Sequence, residues 1–553
     1  MEQVVENKKC TKCESGFEIT DKDLQFYAKL NLPTPTFCPI CRVQRRMTWR
    51  NDRTFYIRKC DKSGKQIISI YPTHSQFTIY HPDEWYSDSW NAMDYGQEFD
   101  FSRPFFDQWE ELMLKVPRLG IDIVNCENSD YCNYCGDDKN CYLDIAGEEN
   151  EDCYYDLFTK HSKNCVDCTF AYNSELCYEA ISCYNCYNVR HSMYLDNCND
   201  CFFCFDLKGC KNCIFSNNLR QKEFYIFNKP HSKEEYEKKL KELKLDSYEG
   251  LTEAKRIWKE AMGCAVHRDM YNTNSENCTG NNIKNSKNCH YVFNASNCED
   301  SKYLFDVLDV KDCYDMSYSL YKPEVACDII STLNMRFSAF CMASHYCSES
   351  FYCDQCNNSS NLFGCIGLNH KKYCIFNKQY SREEYFELLP KIIEKMKRDG
   401  QWGEFFPSAI SPFGYNETVA QEYYPLDKVS AETSGFKWRD EESKGFYDGP
   451  KYIIPDEISE VDDDLCKQVL TCEVTGKSYK VIAAELRFYK KMGIPVPHRS
   501  PDQRHRDRIA LRNPRWLWQR TCSKCSGGVN TSYRPERDEQ IYCEKCYEEF
   551  IYN

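Results

Sequence analysis

Eight cysteines stand as four CxxC knuckles near the two ends of the chain: Cys10 and Cys13 with Cys38 and Cys41, then Cys522 and Cys525 with Cys543 and Cys546. Each knuckle offers two thiolates from one tight turn, and two knuckles complete the tetrahedron that zinc prefers. Two zinc ions per chain are therefore the expected cofactor, one per quartet. A constant shift of 462 residues lays the last module on the first without a gap, bringing Cys10 onto Cys472 and Cys60 onto Cys522. The module is thus present twice, each copy with two potential sites of which one is complete. In the last copy the other site reads Cys472, Thr475, Ser500 and Gln503, a set too poor in ligands to hold zinc. In the first copy it reads Cys60, Ser63, His81 and Glu84. Cys60, His81 and Glu84 leave two readings: a degenerate structural site, favoured because the other copy is degenerate too, or an open zinc site of a metalloenzyme.

The same shift aligns a set of arginines. Arg42, Arg46, Arg50 and Arg53 fall on Arg504, Arg508, Arg512 and Arg515, and Asn51 on Asn513. The i, i+4, i+8 spacing predicts one face of a helix, ended near the asparagine. Residues 42–62 carry 8 basic and 2 acidic residues, and 499–524 carry the same. Such a stripe suits the backbone of RNA or DNA, with Trp49, Phe55, Tyr56, Trp516 and Trp518 placed to stack on bases or to fill a core. It suits equally an acidic protein surface, including one within this chain. Nucleic acid through the basic ends is the leading expectation, and a scaffold docking on acidic partners is the alternative.

Charge separates the chain into three parts. Residues 1–62 hold 13 Lys/Arg against 8 Asp/Glu and residues 472–553 hold 16 against 10, so a net charge of −14 leaves −25 on the stretch between them. That acidic middle is a second candidate surface for a protein partner. No apolar run is long enough to span a membrane, and the opening MEQVVENKKC has no apolar leader. A reducing cytoplasm is expected, where 38 cysteines are metal ligands or buried thiols rather than disulfides. Oligomeric state is not specified by the sequence.

The middle is periodic. Cys141, Cys153, Cys165 and Cys177 are 12 apart, and Cys186, Cys198 and Cys210 resume that spacing. Asn precedes Cys nine times, at Asn125, Asn140, Asn164, Asn185, Asn197, Asn212, Asn277, Asn288 and Asn297. Asn tolerates the left-handed backbone of sharp corners, and Cys is small and readily buried. Short strands, Asn corners and stacked small residues predict a β-solenoid lined by cysteine ladders. Pairs such as Cys132/Cys135, Cys165/Cys168, Cys183/Cys186 and Cys353/Cys356 are read as ladders in preference to metal or redox sites. Two capping boxes, Ser232 with Glu235 and Ser381 with Glu384, open helices that each close one block.

The segment FEITDKDLQFYAKLNLPTPTFCPICRVQRR resembles a small bacterial treble-clef zinc-binding domain over Cys10–Arg46. More broadly, FCPICR, IFNKQYSREEY, SPFGYNETVAQEYYPL and PDQRHRDR resemble a family of long cysteine-rich proteins from uncultivated bacterial lineages. The resemblance implies zinc and the architecture, and implies nothing about mechanism. The expected fold is mainly β with α: a duplicated β-solenoid-like cysteine-rich region flanked by duplicated treble-clef or zinc-ribbon modules. Its expected parts are 1–92, an N-terminal zinc module; 93–120, an aromatic connector; 121–262 and 263–398, two repeat blocks; 399–465, a connector; and 466–553, a C-terminal zinc module. No Walker loop, GxGxxG or HExxH occurs, so a non-enzymatic role is expected.

Overall fold

Every third residue from Asn125 to Phe227 has left-handed backbone, with φ between 48° and 63°. All nine asparagines that precede a cysteine are among the left-handed residues. Non-glycine residues resist this conformation by about 1–2 kcal/mol each, so a compensating interaction must recur as often as the corner does. It is a parallel ladder with a 12-residue period. Glu127 bridges Lys139, which bridges Glu151, then Lys163, Glu175 and Tyr187. Each rung bonds in both directions, as where Tyr142 N–H donates to Cys153 O and Leu143 N–H to Asp130 O, both at 3.0 Å.

Three residues per corner also set what lies inside. From Cys132 to Ser216 the residue after each corner turns inward and is buried, and it is a cysteine at 132, 135, 141, 153, 165, 168 and 177 among others. These thiols are free and hydrogen-bonded to the main chain: Cys165 Sγ donates toward Lys163 O at 3.5 Å and Ser174 O at 3.6 Å. Small side chains are required because successive rungs stack directly.

The computed structural model describes residues 2–440, 449 and 452–552. Residues 441–448, 450 and 451 of the expected connector 399–465 lie outside the described residues. The fold is mixed α/β. The second block contains a seven-stranded parallel sheet running in chain order from Asn272–Thr273 to Arg336–Ala339. Its register advances by 12, as in Leu304 opposite Met316. One extra residue at Tyr321–Lys322, both left-handed, makes the next step 13, so that Cys313 faces Ala326. The helices Lys233–Glu242 and Arg382–Arg398 follow the blocks, each opened by the expected capping box. No helix among the described residues is long and apolar enough to cross a membrane.

The duplication of the ends is visible element by element. Helix Asp21–Lys29 corresponds to Ala483–Met492, and helix Pro39–Met47 to Pro501–Leu511. Hairpin Tyr56–Lys59/Gln66–Ser69 corresponds to Trp518–Thr521/Gly528–Thr531. The arginine helix is shorter than expected in the first copy. It ends at Met47 with Thr48 as its cap, leaving Arg50 and Asn51 beyond it.

Candidate metal centres and the arginine clamp

Cys10, Cys13, Cys38 and Cys41 bring four sulfurs within 4.8 Å of one another, and Cys522, Cys525, Cys543 and Cys546 do the same. Cys13 and Cys38 sulfurs are 3.7 Å apart and those of Cys525 and Cys543 3.9 Å. That is the edge of a tetrahedron of zinc–sulfur bonds near ~2.3 Å, and far too long for a disulfide. In each quartet one knuckle lies in the turn of a hairpin, Val4–Lys9/Gly16–Thr20 or Trp518–Thr521/Gly528–Thr531, and the other opens a helix: Cys38 caps Pro39–Met47, and Cys543 precedes Glu544–Tyr552. A hydrogen bond from Cys41 outweighs burial and pulls the Cys38 thiol down to about 5, while Cys41 is pushed up. A metal bound here would displace the remaining thiol protons. Either quartet could hold a metal ion.

The degenerate sites keep the loop and lose the ligands. Cys60 Sγ accepts the backbone N–H of His81 at 3.4 Å, as Cys522 Sγ accepts that of Cys543 at 3.3 Å. The His81 ring, however, is turned to its own helix, where Nδ1 accepts from Asp83 N at 3.3 Å and caps Pro82–Trp85. Cys60, His81 and Glu84 are not brought together as a metal-ligating group among the described residues.

The arginines expected to face a polyanion face the chain itself. Arg42, Arg46, Arg50, Arg504, Arg508 and Arg515 are all buried, and Arg53 and Arg512 are half-buried. Arg46 Nη1 lies 2.7 Å from Asp328 and 3.3 Å from Asp315, and Arg42 Nε lies 3.0 Å from Asp315. Arg50 bonds Asp52 at 2.6 Å and Ser331 at 2.7 Å, with its guanidinium 3.7 Å from the Tyr134 ring centre. In the other copy Arg508 lies 2.6 Å and Arg504 2.8 Å from Asp167. Arg512 donates to Asn294 Oδ1 at 2.7 Å, and Arg515 pairs with Asp306 while stacking on Tyr423. Arg53 has both terminal nitrogens buried without a hydrogen-bond partner, and burial lowers its pKa.

The residues expected to meet nucleic acid, Arg42, Arg46, Arg50, Arg53, Arg504, Arg508, Arg512 and Arg515, are thus turned toward the chain itself, six of them buried and Arg53 and Arg512 half-buried. The physical reason is the row of aspartates that the repeat blocks present at their corners. Burial works against the Arg42 and Arg504 guanidiniums, yet Asp315 and Asp167 hold both above arginine's ordinary value. Trp49 is buried and packs edge-on against Trp109, so it serves the core. Two further clamp residues escaped the spacing argument. Arg45 reaches Glu404 at 2.9 Å and Asp328 at 3.3 Å, and Arg118 reaches Asp354 at 2.6 Å. Arg45 sits one residue off the stripe and Arg118 stands outside the repeat of arginines, so only their neighbours in space reveal them.

No family model and no curated protein matches this chain. Among solved structures it is similar to one described as a putative acetyltransferase from Desulfovibrio desulfuricans G20, at 10% identity over 48% of this chain and 71% of that one, with a TM-score of 0.11. A likeness at that level carries no argument about fold or activity.

Proposed function

We propose that this protein is a non-enzymatic interaction scaffold: a β-solenoid body of two repeat blocks, clasped by two treble-clef-like zinc modules of the kind its sequence resembles. The observation that carries this reading is the burial of both arginine stripes against aspartates of the blocks. The modules' arginine stripes thereby serve the body, and exposed acidic side chains of the blocks, among them Glu127, Asp130, Asp137 and Glu149, are left for a basic protein partner. Purified chain should leave tRNA and duplex DNA unshifted at low salt and should recover a stoichiometric protein partner that salt releases. Tight nucleic-acid binding without a protein partner would sink the reading.

One observation favours nucleic acid as a second reading, at a different place. Trp516 is 40% exposed beside Trp518, and Arg534 lies over the Trp518 ring at 5.9 Å. Aromatic faces next to arginine suit stacked single-stranded bases. If this surface is the one used, Trp516→Ala with Arg534→Glu removes RNA binding and Arg42→Glu changes it only through folding.

A further inference from the structure

Among the buried inward positions of the first block stand Asp138, Asp144 and Asp156, where neighbouring rungs carry Cys126, Asn150, Cys132 and Cys168, and each is at most 1% exposed. Asp138 and Asp144 form no ion pair among the described residues. Asp138 Oδ2, Asp144 Oδ1 and Asp156 Oδ2, with Thr159 Oγ1 beside them, are buried without a hydrogen-bond partner. Carboxylates removed from water must be paired, protonated or metal-bound.

The surroundings favour metal. Cys135 Sγ and one oxygen from each of Asp138 and Asp144 lie within 4.8 Å of one another. Both aspartates are oriented by Asn150: its backbone N–H donates to Asp138 Oδ1 at 3.0 Å and its side-chain amide to Asp144 Oδ2 at 2.9 Å. Such supporting hydrogen bonds fix the ligands of a metal before it arrives. The Gly147 N–H donates to Cys135 Sγ at 3.3 Å, and the thiol in turn reaches Asp144 O at 3.1 Å, so the sulfur is held in place. Gly147 is itself required: a Cβ there would stand 2.8 Å from Asp138 Oδ2 and from Asn150 Nδ2, and closer still to Asp144 Oδ2. The polar atoms converge on a space that only glycine leaves open.

We infer that Cys135, Asp138 and Asp144 form a third metal site, inside the first repeat block, that takes one divalent ion of the zinc class. One soft thiolate with two hard carboxylates suits zinc better than magnesium or calcium, which prefer oxygen alone. Binding takes Cys135 as the thiolate and so releases its thiol proton.

The test is the zinc content of the full chain, saturated with zinc and freed of excess, measured by mass spectrometry. Beyond the two cysteine quartets, this third group raises the expected ratio to three per chain. Asp138→Asn with Asp144→Asn, nearly isosteric, should bring it to two, with the quartets still loaded. Two per wild-type chain, or three in the double variant, overturns the inference. Should the variant fail to fold, anomalous scattering from wild-type crystals at the zinc edge decides. A peak among Cys135, Asp138 and Asp144 supports the site, and peaks at the quartets alone reject it in favour of protonated carboxyls.

Discussion

Arg46 and Arg508 are the same residue of a duplicated module, both buried to within 2% of complete, and each grips an aspartate of the repeat block that lies farther from it along the chain. Arg46 reaches Asp315 and Asp328 in the second block, and Arg508 reaches Asp167 in the first. Removing one partner of a buried pair strands the other charge and costs about 3–5 kcal/mol. Arg46→Ala and Arg508→Ala should each lower stability by that amount in urea unfolding. The sites share no residue, so the double variant should lose roughly the sum. A loss under about 1 kcal/mol would mean that these pairs do not hold the modules down.

Metal removal should act on the ends one at a time. Cys13→Ser should abolish metal binding at one cysteine quartet and Cys525→Ser at the other, each detected as one ion fewer per chain. Because the ligands must be deprotonated, zinc release should follow acidification, with protons taken up as the metal leaves. Retention of full metal by either variant would contradict the assigned quartet.

Thiol labelling should separate the cysteines by place. Cys264 is a free, exposed thiol and should react first in the metal-loaded protein. After chelation, exposed Cys13 and Cys525 should join it. Cys165, Cys168 and Cys201, buried and hydrogen-bonded to carbonyls, should stay unmodified until the chain unfolds. Peptide mapping by mass spectrometry reads the order, and early labelling of Cys165 would show that the repeat interior opens.

Acid sensitivity should include a contribution from His267. Burial lowers its pKa to about 4, while its ring bonds Tyr533 and the Met262 carbonyl, both at 3.0 Å. The unfolded chain then takes up a proton that the folded chain refuses, so stability is full above about 6.5 and is lost as pH falls toward 4, by roughly 2–3 kcal/mol at most. Asp269, raised by burial to about 6, has the opposite sign and gains stability on acidification over that range. The comparison of His267→Gln with wild type isolates the histidine: its unfolding midpoint should fall less steeply between pH 6.5 and 4. Parallel slopes would remove His267 from the account.

What the sequence revealed followed from local chemistry. Four CxxC knuckles, the capping boxes and the nine asparagine corners are each decided within a few residues, and the 462-residue shift needs only the sequence laid on itself. The three-residue period was hidden, although every corner from Asn125 to Phe227 obeys it. Corner positions hold Tyr134, Leu143 and Phe158 as readily as Asn140, and the inward position accepts Cys, Asp, Gly or Ser. No single residue type marks the beat. The arginine face was legible as a face but not in its direction, because spacing along a helix fixes which residues point together and not toward what. The deciding partners, Asp315 and Asp328, lie 269 and 282 residues from Arg46.

That separation has a temporal meaning during synthesis. At roughly 5–20 residues per second, the ribosome takes on the order of 15–50 s between adding Arg46 and adding Asp315. Throughout that interval the first module has its knuckles and its arginines but no surface to receive them. The clasp can therefore close only as a late, long-range step, after the second block has stacked, and the nascent chain carries an uncovered cationic helix until then.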